Sequence, residues 1–177
     1  MHRSLVGPWD RLVAGQGRML ERIAGIDPAR RQQRPGPGRW SIVEVVEHVV
    51  IVETGIASAL MRDPSPDRPR RFDGRWWRYP ALRLVLALGV RIRLPVESIA
   101  PTGSAGWEEL QVRWSEGRVR LRRWLEGIDP KLLGTPRFKH PIGGWLDVPQ
   151  GVTFAGDHLA HHIPQVERVL TSLGEAR

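Results

Sequence analysis

The sequence predicts an all-α protein built around a four-helix bundle. Apolar residues recur at helical spacing in four long segments, whereas the alternating apolar and polar runs of half-buried strands are nearly absent. Stretches rich in proline and glycine separate these segments and are typical of the loops between packed helices. With 177 residues, of which 41% are hydrophobic, the chain can bury one sizeable core, so we expect residues 1–177 to form a single domain.

The first two helices are predicted at residues 8–25 and 41–62. One face of the first helix carries its apolar residues, which are Trp9, Leu12, Val13, Leu20 and Ile23. The second helix begins with a capping box, because Ser41 is followed three residues later by Glu44. A proline-rich turn at 63–66 ends this helix.

Two further long helices are predicted at residues 105–126 and 148–173. The first of these has the clearest apolar spacing of the chain, at Trp107, Leu110, Trp114, Leu121, Trp124 and Ile128. Before it, residues 80–94 predict a short extra helix within a long crossover that covers one end of the bundle. After it, residues 134–145 predict a loop with room for one short hairpin. Pro164 lies inside the last helix, where it removes a backbone hydrogen bond and predicts a kink.

A histidine pair in the last helix is the most informative local feature. His158 and His162 stand four residues apart, about one helical turn, so both imidazoles point the same way. Such a pair supplies half of a divalent metal site without any loop rearrangement. His161 lies far round the helix from the apolar stripe, and we therefore leave it out of the predicted ligands.

The candidate for a third ligand is His48, which lies inside the second predicted helix. It shares a helical face with Val45 and Val52, so its imidazole is expected to point inward among apolar neighbours. A buried imidazole needs a partner. That partner is either a metal ion shared with the pair on the last helix or a backbone carbonyl, in which case His48 is a core histidine.

Composition restricts both the chemistry and the partners. The chain has no cysteine, which excludes disulfides, a thiolate metal site and a cysteine nucleophile, so any metal must be held by imidazole and oxygen ligands. The net charge of +8 comes almost wholly from arginine, which a GC-rich genome can produce without selection for nucleic-acid binding. The arginine- and tryptophan-rich segment 70–79 could stack bases, but we favour a crossover packed on the bundle. The longest apolar run, 79–94, is interrupted by arginines and is too short to span a bilayer, so we expect a cytoplasmic protein.

Three motifs, in their order and spacing, resemble the DinB-like four-helix-bundle superfamily over nearly the whole chain. They are Pro37-Gly38-Arg39-Trp40-Ser41 before the helix with His48, then His140-Pro141-Ile142-Gly143, and finally His158-x-x-x-His162-x-x-Gln165. The resemblance implies an up-up-down-down bundle that forms a homodimer. It also implies a divalent metal bound by one histidine of the second helix and two of the fourth, and the matching positions are His48, His158 and His162.

The resemblance implies an activity only in outline. Characterised relatives include thiol-dependent enzymes, such as bacillithiol transferases and mycothiol-dependent maleylpyruvate isomerase. Relatives more often carry a polar or basic residue at the position of Pro164, so this chain departs from the pattern beside the site.

We therefore expect a metal-dependent enzyme, a hydrolase or a low-molecular-weight-thiol-dependent transferase, that acts on a small molecule. Three imidazoles suit zinc or nickel, and iron or manganese are further options. Gln165 is a candidate to hold a ligand or a bound water. Glu44 lies one turn before His48 and is a candidate to orient its imidazole, although capping the helix is an equally good use of that carboxylate. The alternative is a non-catalytic helical-bundle dimer with a structural or vestigial metal site.

Overall fold

Four long helices form the frame of the molecule in the computed structural model, which describes residues 1–63, 77–88 and 99–174. In chain order the helices are Arg3–Ile23 (α1), Pro28–Gln32 (α2), Ile42–Met61 (α3), Arg78–Ala87 (α4), Trp107–Gly127 (α5) and Val148–Ser172 (α6). A 3-10 turn at Pro130–Leu132 and an antiparallel hairpin of Phe138–His140 (β1) and Gly144–Leu146 (β2) lie between α5 and α6. The predicted all-α bundle and the short hairpin are both confirmed.

The two helices that carry the histidines begin at reciprocal caps. Ser41 and Glu44 form the predicted capping box of α3, with each side chain accepting from the other residue's backbone N–H. Asp147 and Gln150 do the same at the start of α6. These caps fix the residue at which each of the two helices, α3 and α6, begins.

The prediction for α1 was wrong at its start, which lies at Arg3 rather than at residue 8. Pro8 is inside the helix instead of opening it. The side chain of His2 caps the added turn by accepting from the backbone N–H of Ser4, and Leu5 on that turn is fully buried in the core. Burial of Leu5 offsets the backbone hydrogen bond that proline removes.

Glycines allow α6 to lie close to its neighbours. A β-carbon on Gly15 of α1 would come within 3.0 Å of Leu159 in α6, and one on Gly151 would come within 2.8 Å of Leu60 in α3. The absence of a side chain at these positions brings α6 against both helices. This packing sets the distance between the histidine of α3 and those of α6.

Helix α4 packs on α6. Arg83 forms an ion pair with Asp157, with 2.6 Å between Nε and Oδ2, and Tyr79 donates from its hydroxyl to the Gln150 carbonyl at 3.0 Å. The predicted helix at 80–94 is confirmed as far as Ala87. Leu88 ends the helix, and residues 89–94, like most of the arginine- and tryptophan-rich segment, lie outside the described residues.

A buried ion pair that was not predicted from the sequence joins three helices. Arg118 of α5 contacts Glu53 of α3 through Nε and Nη2, at 2.6 and 2.9 Å, and its Nη1 donates to the Leu12 carbonyl of α1. Trp114 donates from Nε1 to the same carboxylate at 2.8 Å. All polar atoms of this carboxylate are thereby paired, which is the condition under which an ionised group can be buried.

Among residues 1–63, 77–88 and 99–174, none of the helices combines the length and the hydrophobicity that a transmembrane span requires.

Candidate metal centre

The packing of α3 against α6 brings three histidines to one point. One ring nitrogen each of His48, His158 and His162 forms a group in which all three lie within 4.8 Å of one another. The ring centroid of His48 is 5.2 Å from that of His158 and 4.8 Å from that of His162. Residues 110 positions apart in the chain are thus within reach of one ion.

Hydrogen bonds on the far side of two rings determine which nitrogen faces the cluster. Nδ1 of His48 lies 2.7 Å from the Ile99 carbonyl, and Nδ1 of His162 lies 2.8 Å from Oε1 of Gln165. A ring nitrogen beside a carbonyl oxygen must carry the proton, because the oxygen can only accept. Nε2 of each ring is therefore free of hydrogen in the neutral form and available as a metal ligand.

The spacing of the nitrogens fits a divalent ion. Nε2 of His162 lies 3.2 Å from Nε2 of His158. Two nitrogens bonded to one ion at about 2.0–2.1 Å with a tetrahedral angle are about 3.4 Å apart. The pair on α6 is already close to that separation, and the ligand nitrogen of His48 lies within 4.8 Å of both. The three-histidine group can therefore bind a divalent metal, and its chemistry agrees with an all-imidazole site.

Burial keeps these imidazoles neutral. His48 and His162 are buried, and burial lowers the pKa of both, that of His162 to about 3. The pKa of His158 falls well below its ordinary value, first through burial and then through its histidine neighbours. Near pH 7 none of these rings is a charged imidazolium that must lose its extra proton before it can bind an ion.

Of the two other residues that the sequence suggested for the site, one lies beside the histidine cluster and one does not. Gln165 lies beside the cluster, where its amide orients His162. Glu44 does not contact His48: its Oε2 accepts from the Ser41 backbone at 2.8 Å and from Nε of Arg34 at 2.9 Å. Burial would raise the pKa of Glu44, but these hydrogen bonds outweigh it and lower the pKa. Of the two uses considered for this carboxylate, capping is the one the structure shows.

The sequence allowed a backbone carbonyl as the partner of His48 but did not indicate which residue supplies it. That residue is Ile99, 51 positions further along the chain, and its carbonyl faces Nδ1. Every residue has a backbone carbonyl, so no residue type could have indicated it. His161, which was left out of the predicted ligands, faces α4 instead, with Nδ1 3.1 Å from the Leu86 carbonyl.

The histidine cluster opens on a cavity of about 700 Å³. Its walls are mainly apolar and include Trp40, Val52, Leu82, Leu86, Phe138 and Phe154. Among the described residues that line it, only Arg39 and Arg168 carry a full charge, and no carboxylate does. The cavity is large enough for a small organic molecule next to the three imidazoles.

Residues 11–166 match the DinB superfamily, and the chain belongs to that superfamily. Two solved structures are similar over nearly their full lengths. TT2238, a four-helix bundle protein, is 23% identical with a TM-score of 0.57, and the match covers 92% of this chain and 97% of that one. A conserved protein from Enterococcus faecalis is 16% identical with a TM-score of 0.63, and the match covers 98% of each chain. At these identities the likeness shows the fold alone. No curated protein matches the chain.

Proposed function

We propose that this chain is a metal-dependent enzyme acting on a small molecule, as a hydrolase or as a low-molecular-weight-thiol-dependent transferase. One observation carries the proposal: the cluster of His48, His158 and His162 opens on a cavity instead of being closed by a fourth protein ligand among the described residues. Three imidazoles leave at least one coordination position for water or substrate, which is typical of catalytic centres.

The residues around the cluster hold it in place and cover one side of it. The Ile99 carbonyl and the Gln165 amide orient two of the imidazoles, so little reorganisation is needed when an ion binds. Trp40 packs beside His48 with 5.1 Å between ring centroids and shields that side of the cluster. When bound, a divalent ion at such a centre supplies Lewis-acid chemistry, polarising a carbonyl oxygen or lowering the pKa of a water or thiol.

The charge of the lining supports the thiol-dependent form of the proposal. The chain has no cysteine, so a nucleophilic thiol has to come from an external molecule. Arg39 and Arg168 give the cavity a positive potential with no carboxylate among the described lining residues to offset it. Glutathione and bacillithiol carry carboxylates that suit this potential, and mycothiol belongs in the same screen.

The alternative, a non-catalytic bundle with a structural metal site, requires a coordination sphere closed by protein groups and no adjoining pocket. The cavity beside the three histidines argues against it. Zinc and nickel remain the preferred ions for three imidazoles.

Metal binding is the first experiment. Protein purified without a histidine tag is analysed for its elements, stripped with a chelator, and titrated with zinc and nickel. We expect one ion per chain, with binding lost in His48→Ala, His158→Ala and His162→Ala. His161→Ala is the matched control, because it removes an imidazole of the same helix turn that is not one of the three clustered histidines and whose Nδ1 faces the Leu86 carbonyl. Unchanged uptake in the His162 variant would disprove the proposed centre.

Activity is the second experiment. The metal-loaded protein is screened with esters and amides, and with electrophiles in the presence of bacillithiol, mycothiol or glutathione. We expect turnover that disappears on chelation, is restored by the ion, and is absent from His158→Ala but present in His161→Ala. Metal binding without turnover in any of these reactions would favour the non-catalytic alternative.

A further inference from the structure

The end of the cavity formed by the hairpin contains an aromatic cluster of Phe138, His140 and Phe154. The ring centroids of His140 and Phe154 are 4.6 Å apart in an edge-to-face arrangement, and those of Phe138 and Phe154 are 6.0 Å apart in a stacked one. All three residues line the cavity. This aromatic end is apolar except for the histidine ring.

The hairpin turn determines the tautomer of His140. Its Nδ1 accepts from the backbone N–H groups of Ile142, at 3.1 Å, and Gly143, at 2.8 Å. A nitrogen that accepts from two donors carries no proton itself, so in the neutral ring the proton is on Nε2. The turn packs closely against the ring and α4, because a β-carbon on Gly143 would lie 2.9 Å from Leu82 and 3.4 Å from Nδ1.

The Nε2–H of His140 is a donor that the described protein leaves without an acceptor. The side chain is only 6% exposed, and among the described residues its hydrogen bonds all go to Nδ1. The Nε2 atom is not among the fully buried polar atoms without a partner, so it is open to the cavity that the ring lines. A donor in the wall of a mainly apolar cavity is positioned to bind an acceptor atom of a molecule held there.

The aromatic end is adjacent to the histidine cluster. Phe154 precedes His158 by one turn of α6, and their ring centroids are 5.9 Å apart. His140 is thus separated from the nearest candidate ligand by a single aromatic ring. A small molecule that reaches His140 also reaches the metal centre.

We propose that Nε2–H of His140 binds a carbonyl-type oxygen of the substrate, so that the aromatic end holds a small molecule with an apolar body and a ketone, ester or amide group. This deepens the proposed function and rests on it where the bound molecule is called a substrate. His140 is a binding and positioning residue, and it is not among the predicted metal ligands.

The charge state of His140 selects an uncharged acceptor. Burial lowers the pKa of His140 to about 4, so the ring is neutral near pH 7. A neutral N–H in an apolar pocket pairs with a carbonyl oxygen without bringing a net charge out of water, whereas a carboxylate would lose its hydration.

Two substitutions distinguish the role of Nδ1 of His140 from that of Nε2. In His140→Asn the amide oxygen takes the place of Nδ1 and keeps the turn, but no donor reaches the place of Nε2. In His140→Gln the longer amide puts an N–H near the place of Nε2 and serves as the rescue variant. The probes are acetophenone and α-methylstyrene, which have the same shape and differ in a carbonyl oxygen against a methylene group.

The binding test uses chelator-treated protein, so that an ion cannot cause the preference. Chemical shifts of the Ile142 and Gly143 amides are followed as each probe is added. We expect the wild type to bind acetophenone about 3- to 10-fold more tightly than α-methylstyrene, the range for one hydrogen bond to a neutral group. In His140→Asn the two affinities are expected to differ by less than about twofold, and in His140→Gln the preference for acetophenone is expected to return. A preference that persists in His140→Asn, or its absence from the wild type, overturns the proposal.

The wild type alone gives a second readout that does not depend on whether the variants fold. Long-range nitrogen–proton spectra of the histidine rings are expected to show the His140 proton on Nε2 and a shift of that resonance with acetophenone only. A proton on Nδ1 would contradict the proposal. Zinc titration separates this inference from the proposed function. If the carbonyl preference depends on His140 but the protein binds no ion, the subsite is supported and the metal centre is disproved. If His140→Asn binds zinc as the wild type does but the wild type shows no carbonyl preference, the metal centre is supported and the subsite is disproved.

Discussion

His162 and Gln165 form a hydrogen bond within one turn of α6, with 2.8 Å between Nδ1 and Oε1. This contact holds the proton of His162 on Nδ1 and turns Nε2 towards His158 and His48. The orientation of a metal-ligand candidate is therefore encoded three residues away in the same helix, independently of the rest of the fold.

Removing the Gln165 acceptor is expected to weaken metal binding without abolishing it. In Gln165→Leu the His162 ring loses its orienting partner, and substitutions of this kind typically lower affinity about 10- to 100-fold. Gln165→Glu keeps an acceptor at the same place and is expected to bind at least as tightly as the wild type. Competition against a chromophoric zinc chelator measures both. Equal affinities in Gln165→Leu and the wild type would show that this contact does not support the centre.

The stability of the metal-free protein is expected to fall as the pH drops below about 6.5. Burial lowers the pKa of His162 to about 3 and that of His140 to about 4, from an ordinary value of 6.5. Below pH 6.5 the unfolded chain takes up protons at these rings while the folded chain does not, so the lower pH favours unfolding. Each ring contributes about 2 kcal/mol of lost stability between pH 7 and pH 5.

Urea unfolding of chelator-treated protein at both pH values measures this loss. His162→Leu removes one of the buried histidine rings, and its loss between pH 7 and pH 5 should be smaller than that of the wild type by about 2 kcal/mol. An identical pH dependence in the variant would mean that His162 is not buried in its neutral form.

Replacing only one partner of the Glu53–Arg118 ion pair is expected to lower the free energy of unfolding more than replacing both partners. Both side chains are less than one-tenth exposed. Glu53→Gln leaves the Arg118 guanidinium buried without a counter-charge, which costs about 3–5 kcal/mol. Adding Arg118→Met removes that charge and should recover much of the loss.

A double-mutant cycle from urea unfolding measures the coupling of this pair. The exposed pair of Arg122 and Glu126 on α5 is the control, because its side chains are 61% and 45% exposed. Glu126→Gln is expected to change the free energy of unfolding by less than about 0.5 kcal/mol. Additive effects at Glu53 and Arg118 would show that they do not interact in solution.

Substitution by alanine is expected to have opposite effects on stability at Gly151 and at Gly17. A β-carbon at Gly151 meets Leu60 at 2.8 Å, and Leu60 is fully buried, so Gly151→Ala should destabilise the protein by about 1–3 kcal/mol. Gly17 lies in α1, is exposed, and has nothing within 4 Å of its would-be β-carbon. Gly17→Ala should stabilise the protein by about 0.5–1 kcal/mol through helix propensity. Thermal or urea midpoints check both, and a stabilised Gly151→Ala would show that α6 does not approach α3 this closely.

The sequence was most informative where a signal is local. The cap at Ser41 and Glu44 marked the start of α3, and the four-residue spacing of His158 and His162 indicated that their rings share a face, because one helical turn fixes both relationships. The start of α1 was misjudged, since proline is common at the first helical position and nothing near Pro8 signalled a helix already under way.

The sequence by itself determined the presence of the four long helices, the capping of α3, the pair on α6 and the inward face of His48, because all of these depend on residues within a turn or two of one another. Only the tertiary structure decided that the Ile99 carbonyl orients His48, that Arg118 is buried against Glu53, and that the cluster opens on a cavity. These features depend on the distance between helices far apart in the chain, and that distance is set by packing of the whole core. A backbone carbonyl is present in every residue and a cavity has no residue type of its own, so no local sequence pattern could have predicted either feature.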